Sequence, residues 1–200
     1  MHRFMTGGPA SQQQIPSLAG MTQPDKHLHP TRAPEEATVT MHDDLVQHVC
    51  VLEARDEIRQ LMAAYVHARD LANIPAVDYL TEDAVWEGVG RMADILGRHT
   101  GRDAIAKRFA GPVPPGLHLL ANESIAVNGD DAVGYWTYLQ PMVLGGRAYW
   151  VAGRYHNDFQ RGDGSWRIRH MRVEAISEAP YDHGWAQAEF FQRQAAPATG

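Results

Sequence analysis

Three observations predict an α+β fold, with helices first and a mostly antiparallel sheet after them. A helical apolar period is confined to the first part of the chain, four strand-like runs follow one another from residue 117 onward, and Asn128-Gly129 and Asp163-Gly164 carry strong hairpin signals. Residues 1–42, rich in Pro, Gln, Gly, Thr and His, hold no sustained apolar period and cannot bury enough surface to offset the entropy of ordering, so they read as a flexible arm. The His27-Leu28-His29 pair within that arm has no carboxylate or cysteine frame around it and reads as a solvated tail; no metal site is expected. From Asp43 to Leu71 the period is helical, with Ile58, Leu61, Met62 and Tyr65 spaced i, i+3, i+4, i+7 on one buried face. A short second helix is expected over Ile74 to Leu80, since Pro75 suits a first helical turn. A first strand at Ala84 to Glu87 precedes a third helix over Arg102 to Phe109, which Gly111-Pro112 and Pro114-Pro115 end. The four later strands are expected at 117–127, 131–143, 147–160 and 165–176.

Composition narrows the function classes. The 200 residues are 44% hydrophobic and 21% charged, ordinary for one globular domain with a real core. A formal net charge of -6 without a Lys/Arg cluster argues against a nucleic-acid partner. No stretch approaches the roughly 18 apolar residues of a membrane span, and the N-terminus has no apolar export segment, so neither membrane insertion nor export is expected. Cys50 is the only cysteine, which excludes an internal disulfide and any CxxC site and fits a reducing cytoplasm. It lies in the apolar run Val49-Cys50-Val51-Leu52 and reads as a small core residue rather than a nucleophile. Gly88-x-Gly90-x-x-Ala93 imitates a dinucleotide fingerprint but no parallel βαβ unit surrounds it, and GxSxG, Walker A and HExxH motifs are absent.

The residues that fit a chemistry are Tyr65, Asp70 and His118. A tyrosine donates a hydrogen bond, a histidine accepts a proton near neutral pH, and a carboxylate holds that histidine in one tautomer. Helix geometry alone does not bring them together: Asp70, five positions after Tyr65, is rotated by about 140° from it.

The segments IRQLMAAYVHARD, YLTEDAVWEG, GRDAI, HLLAN, VNGDDAVGYW and RGDGSWRIRHM resemble the SnoaL-like branch of the NTF2-like superfamily over about residues 45 to 177. The Tyr65-x4-Asp70 spacing and the interval on to His118 are similar to those of the family's bile-acid 7α-dehydratases and hexachlorocyclohexane dehydrochlorinases, with scytalone dehydratase more distant. The resemblance implies a cone in which a curved, mostly antiparallel sheet encloses the N-terminal helices. It also implies that Asp70 reaches His118, that His118 is the base of a His–Asp dyad, and that Tyr65 assists the leaving group or polarises a carbonyl. Two departures accompany it. Gln140-Pro141 stands where the bile-acid enzyme has a further catalytic aspartate, and Tyr65 stands where the dehydrochlorinase has lysine. Arg172 lies within a residue of that enzyme's last-strand arginine, which makes it a candidate substrate contact.

Further substrate contacts are expected at Asn122, four residues after His118 and so on the same strand face, and among Trp86, Met92, Trp136, Tyr138, Trp150 and Tyr155 as an apolar pocket. The apolar tail with Tyr181, Trp185, Phe190 and Phe191 reads as a cap on the cone or a subunit contact, which divides the chain into an arm (1–42), a domain (43–177) and a tail (178–200). A positioned general base contributes 10² to 10⁴-fold, roughly 3 to 5 kcal/mol, enough for elimination or enolisation at an activated C–H bond but not for hydrolysis of an unactivated amide. The expectation is therefore a lyase without a cofactor, dehydratase-like, acting on a cyclic, carbonyl-activated small molecule, and the resemblance to the family's lyases further implies a homo-oligomer, a trimer rather than a dimer. The alternatives are an isomerase or cyclase using the same dyad and a non-catalytic ligand-binding module.

Overall fold

The computed structural model describes residues 35–71, 75–111 and 114–183. The chain divides into two compact units, Met1–His42 and Asp43–Gly200; of the first, only residues 35–42 are described, and they are helical. The flexible arm expected of residues 1–42 thus lies outside the described residues as far as residue 34, as do Trp185, Phe190 and Phe191 of the expected cap. Helix α1 (Glu35–Leu71) begins before the Asp43 start read from the apolar period. In the second unit its Ala54, Ile58, Met62 and Tyr65 are buried, the 3.6-residue stripe that faces the sheet. Cys50 is exposed on this helix, contrary to its reading as a core residue. The apolar run around it passes round a whole helical turn and is not a buried segment, since Val49 and Leu52 are exposed too.

Pro75 opens a single 3-10 turn over Ala76–Tyr79 where a short α-helix was expected. Strand β1 (Leu80–Gly88) follows directly, four residues earlier than the Ala84 start read from the sequence. A short helix α2 (Ala93–Leu96) and strand β2 (Arg98–Thr100) come next, neither anticipated, and then helix α3 (Arg102–Phe109) over the span predicted for it. The meander comprises β3 (Leu119–Asn128), β4 (Asp131–Leu144), β5 (Arg147–Gly162) and β6 (Ser165–Pro180). Together the strands form one sheet in the order β2-β1-β6-β5-β4-β3, antiparallel throughout except for the β1–β6 pair.

Bulges bend this sheet. The register slips in β3 between Ala121 and Ser124, and in the β5–β6 ladder beside Gly153 and beside Phe159. Each extra residue increases local twist, which lets long strands curve around α1. The core between helix and sheet includes Phe159, Ile58, Met62, Leu80, Ile105, Ile168 and Met171, all fully buried. Asn157 on β5 donates from Nδ2 to the Met62 sulfur at 3.3 Å, marking where the helix crosses the sheet. Arg59–Glu123 and Arg161–Glu57, each at 2.9 Å, fasten α1 to β3 and to the end of β5 from outside. Among the described residues no helix is long and apolar enough to cross a membrane.

Candidate active site

The open end of this arrangement is a cavity of about 390 Å³ into which the last turn of α1 projects. Tyr65 and Asp70 both line it, although they leave the helix in different directions, because the cavity wraps around the helix end instead of facing one side of it. His118, one residue before β3, lines the cavity beside Asp70 and is clamped to it at two points. Its backbone N–H donates to Asp70 Oδ2 at 2.9 Å, and its ring Nδ1 lies 2.5 Å from Asp70 Oδ1. Both side chains are largely withdrawn from water, Asp70 at 8% and His118 at 17% exposure. With Nδ1–H directed at the carboxylate, the imidazole keeps its Nε2 lone pair as a proton acceptor, and the backbone bond fixes the ring's position.

Three tyrosines surround the dyad. Tyr65 is 2% exposed, and burial pushes its hydroxyl up to about 12, opposed by the charge of Arg69 and a hydrogen bond with Trp86. Tyr138 is likewise pushed up to about 12, by burial and then by the carboxylates of Glu174 and Glu178. Tyr155 is raised well above its ordinary value, again chiefly by burial, and stacks on Tyr138 with ring centroids 4.8 Å apart. The Tyr138 ring lies 6.3 Å from the His118 ring. All three stay protonated across the physiological range and serve as hydrogen-bond donors, not as bases.

Of the expected contacts, Trp86, Met92, Tyr138 and Tyr155 line the cavity, whereas Asn122, Trp150 and Arg172 do not. Asn122 sits at the β3 bulge with φ of 54°, so the alternation that would have put it on the His118 face is broken; it lines a separate groove with Tyr135, Thr137, His156 and Arg172. Trp150 lies between Tyr149 and Val151, which both line the cavity, and strand alternation turns it away toward Tyr181. Arg172 precedes the cavity residue Val173 and therefore faces the other side, where it donates to both oxygens of Asp158 at 3.0 and 3.3 Å. Trp136 packs edge-on against Phe159 in the core.

Several lining residues escape the sequence reading, among them two arginines, a phenylalanine and a glutamate. Arg69 and Arg108 look like solvated helix charges, and Phe109 looks like an ordinary helix-end apolar residue. Glu178 enters the cavity wall only because Ile176 is the extra residue of the β5–β6 bulge, after which Glu178 pairs with the cavity residue Val151. Gln140, standing where a further carboxylate was looked for, also lines the cavity. Among the described residues no group of three His, Cys, Asp or Glu side chains is placed to hold a metal ion.

Residues 51–172 match the model of the SnoaL-like domain family. An uncharacterised protein of Mycobacterium tuberculosis is 28% identical over 123 residues, 60% of this chain and 84% of its own. Among solved structures, a protein of Novosphingobium aromaticivorans provisionally named an aromatic ring hydroxylase is 27% identical with a TM-score of 0.58, covering 64% of this chain and 94% of that one. An NTF2-like protein with a cystatin-like fold from the same organism is 25% identical with a TM-score of 0.54, covering 67% and 89%. The hexachlorocyclohexane dehydrochlorinase of Novosphingobium barchaimii shares the fold, with a TM-score of 0.58 at 20% identity over 66% of this chain and 93% of that one. The α+β cone of the NTF2-like superfamily is therefore the fold of this chain.

Proposed function

The chain belongs to the SnoaL-like domain family, and from that premise we propose that it is a lyase which removes a proton with His118 and expels a β-leaving group from a carbonyl-activated cyclic substrate. The observation that carries this reading is the two-point Asp70–His118 clamp at the wall of a largely apolar cavity. Nε2 of His118 takes the α-proton, the C–H electrons form the new double bond by way of the enolate, and the leaving hydroxide departs as water with the proton returned by the imidazolium. Asp70 holds the imidazole and stabilises its charged form. Tyr65, a donor that stays protonated, stabilises the enolate oxygen. A dehydrochlorinase with this fold carries out an elimination by name, which makes the scaffold compatible with the chemistry.

Hydrogen–deuterium exchange from D2O into a panel of cyclic ketones and β-hydroxyketones, followed by NMR, tests the proposal. Wild type is expected to exchange or eliminate, and His118→Ala to lose this by about 10² to 10⁴-fold. Product mass separates elimination from isomerisation. Equal behaviour of the two proteins on ligands that bind would leave the cavity as a binding site without proton transfer.

A further inference from the structure

Building on the reading of this cavity as a substrate site, we propose that the substrate bears a carboxylate, received by the guanidiniums of Arg69 and Arg108 at the end of the cavity formed by α1 and α3. Both arginines line the cavity, and neither has a carboxylate partner among the described residues. The carboxylate next to Arg69 in sequence is already spent on His118, Oδ1 on the ring and Oδ2 on the backbone. What the two cations touch instead is one aromatic pair. Arg69 Cζ sits 3.7 Å over the Phe109 ring and Arg108 Cζ 5.8 Å over Trp86, while the Phe109 and Trp86 rings meet edge to face at 5.3 Å.

An arginine on an aromatic face has its π surface covered and its N–H edges still open, in the fork geometry that a carboxylate fills. Arg69 is also partly buried, and a partly buried charge without a counter-ion is costly unless something supplies one. The remaining acidic group of the lining, Glu178, lies on the β5–β6 wall beside Tyr138, so the cavity is polarised with its positive end at the helices. A substrate anchored there by a carboxylate occupies the same cavity as Tyr65 and His118.

Calorimetry with 2-naphthoate and its neutral counterpart 2-acetylnaphthalene tests this without turnover. Wild type is expected to bind the carboxylate at least about tenfold more tightly, and Arg69→Gln and Arg108→Gln to lose that preference while binding of the ketone stays within about twofold. Arg108 is exposed, so its substitution carries the test if Arg69→Gln does not fold. Equal binding of the two ligands by wild type overturns the proposal, as does binding of neither, or a preference that survives in the double variant. The lyase reading stands or falls separately: loss of deuterium exchange in wild type would leave a carboxylate preference intact, and absence of that preference would leave exchange intact.

Discussion

A tyrosine whose hydroxyl is buried titrates later than in the unfolded chain, and three such residues surround this site. Tyr65 and Tyr138 are held at about 12 against an ordinary 10.0, and Tyr155 higher still. Between the two values the unfolded chain has lost protons that the folded chain retains, so stability falls with rising pH. The contribution is complete below pH 10 and is lost as the pH rises through about 12. Melting temperatures from pH 8 to 12 are expected to decline steeply above 10 in wild type and less steeply in Tyr65→Phe and Tyr138→Phe. Parallel declines in all three would mean that other groups drive alkaline unfolding. Over the same range Tyr65 remains a donor, so turnover measured on the folded protein should show no loss that belongs to its ionisation below about pH 11.

At the scale of strands, the placement of the cavity residue Tyr138 depends on one glycine. A Cβ at Gly153 would come within 2.1 Å of the Glu174 carbonyl oxygen and 2.5 Å of the Tyr138 ring, so the β5–β6 bulge and the Tyr138–Tyr155 stack both require its absence. Gly153→Ala is expected to cost about 1–3 kcal/mol and to weaken ligand binding, as read by urea denaturation and by the calorimetry above. Unchanged stability would mean that Tyr138 moves aside freely. Elements of this kind also explain what was legible in the sequence. Hairpins at Asp163-Gly164 and at Gly129 show in the residues because positive φ needs particular side chains, and helix α3 shows in its flanking glycine and prolines. Tyr65, Asp70 and His118 are legible as residue types; that Asp70 reaches His118 follows only from the family resemblance, because the contact depends on the strands that bring His118 to the end of α1 and not on helix geometry. Asn122 is misplaced by alternation because the β3 bulge intervenes, and bulges have no strict residue signature; Trp150, expected from its residue type, and Arg172, expected from the resemblance, each fall on the strand face turned from the cavity.

For the whole molecule, the joint that sequence patterning hides most is the parallel β1–β6 pair, which unites the β1–β2 edge with the meander. A polar cluster on the outer face crosses it. His170 Nε2 lies 2.7 Å from Glu87 Oε1, Arg98 donates to Glu87 at 2.6 Å, and Arg172 donates both to Asp158 and to His170 Nδ1, at 2.8 Å. Burial alone would raise Glu87, but its hydrogen bonds from Arg98 and His170 outweigh this and hold it below the ordinary 4.5. Asp158 is lowered in the same way, burial being overcome by Arg172. A carboxylate with a depressed native value contributes stability above its unfolded value and loses it as the pH falls through the native one. The joint should accordingly weaken below about pH 4.5, where backbone amides of Val85–Gly88 are expected to lose exchange protection before those of the β4–β5 ladder. Glu87→Gln should flatten the acid limb of the melting curve while lowering stability at pH 7. An acid limb unchanged in that variant, with the β4–β5 amides opening first, would place the weak seam in the meander instead and leave the cluster a bystander to acid unfolding.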